Sequence, residues 1–353
     1  TLEPKASYQI ESISNLGYHI TLITSDTYGR SEQVLRDNAK SYSFFKYPRK
    51  SIFVQQLLII KYLFFKRDFI EYVICTPMSY TTFFTILICK FLNIKNLLLE
   101  WGSITDLSKV NFLLGFLASN AYKVSNKILY KEPHFKRILE NLFGKTRNQI
   151  SFLPNCIKVD KKYQNRFKKN KLGDNFMIDF LWANRPIWRR YPEYFLKASL
   201  DKDFENNNFR MYGVNNKTKD IKSERFSRLI DLINKKDSKI INLYSYELKK
   251  IFLSSKFFIL ASRDVYGNNS LLETMSLGIV PIVSHTPWTE QFVPVDSAII
   301  FKNNYVSFKK ALLFARNMTD EEYIRRSNGV VNWVSKYFSN QIWEERFLNI
   351  IKF

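Results

Sequence analysis

The sequence contains few of the residues that form disulfide frameworks or metal centres. Only three cysteines occur among 353 residues, at Cys75, Cys89 and Cys156, and none of them forms a CxxC pair. Distant cysteines in odd number argue against a disulfide framework and are typical of a reducing compartment. The three histidines lack HxxxH spacing, and no Asp-x-Asp lies near the end of a predicted strand. We therefore expect no metal site.

Long uncharged apolar runs are also absent. The nearest, Ile52–Phe65, is interrupted by Lys61 and has basic residues at both ends, whereas a membrane span needs about 20 apolar residues. This predicted helix suits an anionic membrane surface, and an ordinary core helix is the alternative interpretation. We expect a cytoplasmic protein, peripheral on the inner face of the cell membrane if the first interpretation holds.

Basic residues outnumber acidic ones by 54 to 32, which gives a formal net charge of +22. Such an excess attracts phosphates, nucleic acid or anionic lipid without choosing among them. A lysine-rich composition that keeps the chain in solution is the alternative explanation. Nucleic-acid binding is disfavoured because the lysines are scattered and no recognised motif accompanies them.

Apolar strands alternate with amphipathic helices along most of the chain, which predicts mainly parallel sheets covered on both faces. The length suits two domains, and the basic segment 158–171 marks their boundary. The predicted domains are residues 1–157 and 158–335, with a final helix, 336–353, that packs back on the first domain. Thr1–Lys5 resembles the loop after a strand, so a first strand within about ten upstream residues is expected.

The most informative segment, 257–284, predicts a strand, a polar loop, a short helix and a second strand. A loop that leads into a helix N-terminus presents unpaired N–H groups to an anion, and the helix dipole reinforces them. Gly267 permits the close backbone approach that a phosphate needs. Asn268, Asn269 and Ser270 are candidate caps.

The predicted helix contains one carboxylate and ends at a glycine. Glu273 falls one turn inside the helix, where it can accept hydrogen bonds from two ribose hydroxyls. Gly278 is suited to the position after the helix end.

This segment resembles the donor-binding signature of GT-B glycosyltransferases, especially family four. Leu272, Glu273, Met275, Gly278 and Pro281 stand at the spacing of that signature. The resemblance implies two Rossmann-like doubly wound domains that face each other across a cleft, with C-terminal helices that cross back to the first domain. It also implies a retaining transfer from a nucleotide sugar, with a UDP-sugar as the expected donor and no metal.

Further site residues follow from the same resemblance. The stretch 180–185 is similar to the strand that ends in Gly-Arg, so Arg185 and either Arg190 or its neighbour Arg189 would clamp the diphosphate. An exposed helix start is the alternative for Arg189 and Arg190. Two cations neutralise a pyrophosphate and stabilise its departure. Tyr244 lies in the stretch that brackets the base.

One acidic position departs from the family pattern. The family has a glutamate eight positions before Glu273, where this chain has Val265. Asp264 fills that role if the doubled Asn268-Asn269 is an insertion, and otherwise caps the loop.

The acceptor side is expected at the carboxyl ends of the first-domain strands. Glu100 is a candidate base or acceptor-orienting group, and a satisfied strand-end carboxylate is the alternative. Trp101 suits stacking on a sugar, and His134 occupies a comparable position, although a lone histidine is more often structural.

The predicted catalytic residues are Arg185, Arg190, Glu273 and Glu100. The predicted nucleotide-binding residues are Asp264, Gly267, Asn268, Asn269, Ser270, Leu271, Glu273, Tyr244 and Arg189. The expected reaction joins a sugar to a glycan or lipid-linked glycan in cell-surface polysaccharide synthesis. A sugar-nucleotide 2-epimerase of the same fold is the alternative enzyme.

Overall fold

A computed structural model describes most of the chain. The described residues are 7–24, 30–46, 51–77, 79–100, 104, 107, 110–159, 176–184, 190–212, 231, 241–242, 248–263 and 268–352. The chain divides into two compact units. Unit 1 comprises Thr1–Cys156 and Asn340–Phe353, and unit 2 comprises Ile157–Ser339.

Unit 1 alternates helices with parallel strands. Its helices are α1 (Ser7–Asn15), α2 (Arg30–Asn38), α3 (Ile52–Lys66), α4 (Thr82–Phe91), α5 (Phe112–Val124) and α6 (Phe135–Phe143). Its strands are β1 (Ile20–Thr24), β2 (Tyr42–Lys46), β3 (Tyr72–Cys75), β4 (Lys95–Glu100), β5 (Lys127–Tyr130) and β6 (Ile150–Phe152). β1 pairs with β2, and β3 to β6 form a four-stranded parallel sheet in chain order.

Both faces of the four-stranded sheet are covered. Successive strand residues point to opposite faces, so Leu97 packs with Trp343 and Phe347, whereas its neighbour Leu98 packs with Ile86 and Tyr122. Burial on both sides explains why the strands are apolar throughout rather than alternating in polarity.

The last helix of the chain belongs to unit 1. In chain order, the helices of unit 2 are α7 (Pro192–Leu200), α8 (Leu248–Leu253), α9 (Asn269–Ser276), α10 (Tyr305–Arg316) and α11 (Asp320–Tyr337), and α12 (Asn340–Ile351) follows in unit 1. Trp343 and Phe347 of α12 stack with ring centroids 5.0 Å apart against the sheet face.

Unit 2 contains a six-stranded parallel sheet. Its strands are β7 (Ile178–Ala183), β8 (Phe209–Tyr212), β9 (Ile241–Asn242), β10 (Ser255–Leu260), β11 (Val280–Ser284) and β12 (Ile299–Phe301). The spatial order is β9-β8-β7-β10-β11-β12. Counted from β7, this is the 3-2-1-4-5-6 order of dinucleotide-binding folds. The parallel sheet predicted from the alternating pattern is confirmed, and so is the doubly wound fold class that the family resemblance implies.

Aromatic side chains dominate the core of unit 2. Phe180 on β7 lies 5.8 Å from Phe257 on β10 and 4.9 Å from Phe209 on β8, centroid to centroid. Tyr323 from α11 meets Phe257 edge-on at 5.5 Å. Such pairs add to the burial of their large apolar area. They hold β7 and β10 rigidly side by side, and these two strands support the candidate site.

A short turn follows β11. Residues Thr289–Gln291 form a three-residue 3₁₀ turn rather than a longer helix. The Thr289 hydroxyl accepts from the Thr286 N–H at 2.8 Å and donates to the Ser284 carbonyl at 3.1 Å. These local bonds compete with helix propagation.

Among the described helices, none is long and apolar enough to cross a membrane.

Close packing of α11 in unit 2 depends on Gly329. A Cβ added there would lie 1.9 Å from Ser297 Oγ and 2.8 Å from Ser297 Cβ. We expect Gly329→Ala to lower the free energy of unfolding by about 1–3 kcal/mol, because the clash forces a shift in a packed region. Urea denaturation followed by circular dichroism measures this change.

Ser297→Gly in the same chain should restore part of the loss. Gly115→Ala is the matched control, because its Cβ would meet Leu107 O at an ordinary 3.4 Å. An equal loss of stability in both single variants would contradict the assignment of the clash.

Candidate functional site

The candidate site lies at the carboxyl ends of β7 and β10. These strands are neighbours, but β8 lies beyond β7 on one side and β11 lies beyond β10 on the other. The connections after β7 and β10 therefore leave in opposite directions and open a crevice between them. Ligands of open α/β sheets bind at such a switch point.

The side chain of Asn184, directly after β7, lies at this point. The residue is buried, with 7% of its surface exposed. Its Oδ1 accepts a hydrogen bond of 3.0 Å from Arg190 Nη1 and a longer one of 3.4 Å from Asn268 Nδ2. One carboxamide thus joins the segment before α7 to the start of α9.

The other polar atom of this carboxamide is the donor Nδ2. Asn184 Nδ2 is buried without a partner among the described residues. A buried donor left without an acceptor is costly, so Nδ2 is suited to donate to a ligand oxygen in the crevice.

Helix α9 begins as the sequence predicts. Asn268 is the N-cap, with extended dihedrals, and its Oδ1 accepts from the Leu271 N–H at 2.7 Å. The N–H groups of Asn269 and Ser270 belong to the first turn of α9. N–H groups in a first turn have no intrahelical carbonyl acceptor, because the helix has no preceding turn. Gly278 follows the helix with φ of +77°, the left-handed conformation that favours glycine. The predicted cap and stop are confirmed.

Glu273 lies one turn inside α9 and is half-buried. Burial raises the pKa of its carboxyl group from 4.5 to about 7. No described residue donates a hydrogen bond to this carboxylate, so its lone pairs remain for a ligand. Two vicinal hydroxyls would satisfy them and favour the ionised form.

Arg190 stands before an unusual backbone turn. Tyr191 has φ of +41°, which is uncommon for a residue other than glycine, and Pro192 begins α7 immediately afterwards. Tyr191 stacks on Tyr194 with centroids 5.2 Å apart. This packing helps to maintain the turn from which the Arg190 side chain reaches back to Asn184.

Five predicted site residues lie outside the described part of the chain. They are Arg185, Arg189, Tyr244, Asp264 and Gly267. The structure brings together the rest of the unit 2 set, which is Arg190, Asn268, Asn269, Ser270, Leu271 and Glu273.

The candidate carboxylate of unit 1 has a different environment. Glu100 ends β4 with none of its surface exposed. It accepts hydrogen bonds from the Tyr122 hydroxyl and, at 3.2 Å, from the Ile104 N–H. Burial and the adjacent Glu100 carboxylate raise the pKa of Tyr122. This geometry favours the strand-end structural role that the sequence left open, rather than a base.

The other acceptor-side candidates add little to this picture. His134 precedes α6 and packs on Phe135 with ring centroids 4.3 Å apart, while Trp101 lies outside the described residues. Among the described residues, no group of histidine, cysteine and acidic side chains is arranged to hold a metal ion.

Comparisons with known proteins confirm the fold. No family model and no curated protein sequence matches this chain. A glycosyltransferase structure from Rickettsia africae ESF-5 covers 99% of this chain and 93% of its own, with a TM-score of 0.70 at 15% identity. Anabaena Alr3699/HepE, solved in complex with UDP-glucose, covers 100% of this chain and 96% of its own, with a TM-score of 0.74 at 6% identity.

A third similar structure is sucrose-phosphate synthase from Thermosynechococcus elongatus. It covers 97% of this chain and 90% of its own, with a TM-score of 0.66 at 10% identity. These structures are GT-B glycosyltransferases, so the chain has the two-unit, Rossmann-like fold of that class.

Sequence reasoning missed Asn184. The family pattern has a glycine where this chain has Asn184, and the departure itself was the available signal. A polar side chain in place of glycine at the end of a buried strand must find partners, and here Arg190 and Asn268 supply them.

The Asn184 bridge predicts a specific loss on truncation. Asn184→Ala should lower the free energy of unfolding by about 1–2 kcal/mol, because Arg190 and the Asn268 cap both lose their shared buried acceptor. Urea denaturation measures the change. Asn207→Ala, which removes a single 3.3 Å bond to Asp179 near the opposite end of β7, should cost less. An equal loss of stability in both variants would contradict the bridge.

The raised pKa of Glu273 predicts a pH-dependent stability. Between pH 4.5 and about 7 the folded protein retains a proton that the unfolded chain has released. Stability should therefore fall as pH rises through this window and level off above it. Urea midpoints at several pH values, compared with those of Glu273→Gln, measure the contribution. If the urea midpoints of wild type and Glu273→Gln differed by the same amount at every pH, the predicted contribution of Glu273 would be refuted.

Proposed function

We propose that this protein is a glycosyltransferase that moves a sugar from a nucleoside-diphosphate sugar to a glycan or lipid-linked glycan. One observation carries the proposal. At the switch point of unit 2, Asn184 holds Arg190 beside the N-terminus of α9, one turn before the Glu273 carboxylate. A cation, helix amides and a carboxylate at these positions match a diphosphate that is linked to a ribose.

The diphosphate would bind against the first turn of α9. Its oxygens accept from the N–H groups of Asn269 and Ser270, and the positive end of the helix dipole reinforces these bonds. The Arg190 guanidinium and the Asn184 Nδ2 amide donate from the β7 side. Arg185 is the second cation that the sequence pattern assigns to this role.

The same groups support departure of the leaving group. Negative charge grows on the diphosphate as the bond to the anomeric carbon breaks, and preorganised donors stabilise it most at that stage. Glu273 would accept hydrogen bonds from the ribose hydroxyls and so set the position of the diphosphate along the crevice.

A UDP-sugar is the proposed donor. Alr3699/HepE was solved with UDP-glucose and with UDP and glucose, and TarM of S. aureus with UDP and alpha-GlcNAc-glycerol. We further propose that the acceptor hydroxyl attacks the face from which the diphosphate leaves, with retention of configuration. A place in cell-surface polysaccharide synthesis in the cytoplasm completes the proposal.

Nucleotide binding tests the site directly. In a thermal-shift panel of UDP, GDP, dTDP and CMP, UDP should raise the melting temperature, and Glu273→Ala and Arg190→Ala should reduce that shift. A loss of 1–2 kcal/mol per variant corresponds to about tenfold weaker binding. Asn207→Ala is again the control. Unchanged melting with all four nucleotides would refute the donor site.

Product analysis tests the reaction. With UDP-sugar and acceptor, the anomeric configuration of the product, read by NMR, should equal that of the donor. Inversion would refute retention while leaving transfer intact. Interconversion of nucleotide sugars without any acceptor would favour the epimerase instead.

A further inference from the structure

Three neighbouring helices of unit 1 expose large apolar side chains. α3 packs against α4, and α4 packs against α5. The exposed residues, each with at least 38% of its surface accessible, are Ile52, Phe53, Val54, Leu57, Phe64 and Phe65 on α3, Phe84, Leu87 and Phe91 on α4, and Phe112, Leu113 and Phe116 on α5. We call them the aromatic face.

On α4 and α5 these residues lie along one outward stripe, whereas on α3 they cover a wider arc that begins with the consecutive residues Ile52, Phe53 and Val54. Phe84, Leu87 and Phe91 are spaced at i, i+3 and i+7, which places them on one side of α4. The opposite side of α4 is buried through Thr85, Ile86 and Cys89. The outward side of a surface helix is normally polar, so these helices are apolar on both sides.

Several side chains of the aromatic face are nearly fully accessible. Phe112 is 88% exposed and Phe91 82% exposed, and Phe112 stacks on Phe116 with centroids 6.4 Å apart. Single exposed apolar residues are ordinary, but contiguous ones on adjacent helices mark an interaction surface.

The charges on these helices are all positive. The sequences of α3, α4 and α5 contain no aspartate or glutamate, and each has a lysine in its last turn, at Lys66, Lys90 and Lys123. Each of these helices leads into one of the parallel neighbouring strands β3, β4 and β5, so their C-terminal ends lie at one edge of the layer. Lys61 adds a further cation among the exposed residues of α3.

We propose that the aromatic face and its lysine edge bind an anionic lipid bilayer. The rings would enter the interfacial region, and the lysines would pair with lipid phosphates, as expected for surface-bound amphipathic helices. A second copy of the chain is a poorer occupant, since its own face offers lysines and no carboxylates. This surface belongs to unit 1, whereas the proposed nucleotide site belongs to unit 2, so the membrane proposal does not rest on the proposed function.

Vesicle flotation tests the proposal with the full chain. Wild type should float with vesicles of mixed phosphatidylcholine and phosphatidylglycerol, more weakly in high salt, and should not float with phosphatidylcholine alone. The triple variant Phe84→Ser, Phe91→Ser, Phe112→Ser should bind the anionic vesicles at least about tenfold more weakly. Val306→Ser with Phe314→Ser, at exposed apolar positions of α10, is the matched control and should float normally.

Two further measurements keep the result interpretable. The triple variant should retain the wild-type melting temperature and the nucleotide-induced shift, which shows that it folds and that the donor site is separate. Failure of wild type to float with anionic vesicles, or equal flotation of the triple variant, would overturn the proposal. Wild-type dimers in sedimentation that the triple variant loses, without lipid binding, would assign the face to a second copy.

Discussion

The candidate site depends on the hydrogen bonds that converge on Asn184 Oδ1. Asn268 and Asn184 are 84 positions apart in sequence, yet both meet at the point where the sheet of unit 2 changes winding direction. Because Arg190 shares the same acceptor, the cation and the helix start occupy defined positions before any ligand arrives. A preorganised site of this kind loses little free energy in reorganisation.

The rigidity behind that bridge comes from the aromatic core. Phe180, Phe209 and Phe257 link β8, β7 and β10 beneath the crevice, and the strand ends therefore have little freedom to separate. The positive φ of Tyr191 costs conformational free energy, and the packing around it stabilises this strained backbone. Polar function at the strand ends thus rests on apolar packing a few residues earlier in each strand.

Local sequence signals predicted much of this architecture. The strand predicted at the start of segment 257–284 is observed as Ser255–Leu260, and its short helix as Asn269–Ser276. Short-range rules succeed here because caps, glycine stops and apolar runs act within one or two turns. They singled out only the α3 part of the aromatic face, since periodicity shows an apolar helix but not how many of its sides are covered. The stripes on α4 and α5 became visible only with their neighbours in place.

Two carboxylates illustrate the division between sequence and tertiary structure. Glu273 was placed one turn inside a helix by its spacing from the Asn268 cap and Gly278, which are local properties of the chain. Glu100 was placed with equal accuracy at a strand end, but its role was open. Tyr122 and the Ile104 N–H surround Glu100 in the core, whereas no described residue donates to Glu273. The sequence by itself determined which elements carry these groups. Only tertiary packing decided which carboxylate is satisfied within the protein, because hydrogen-bond partners and burial come from distant segments.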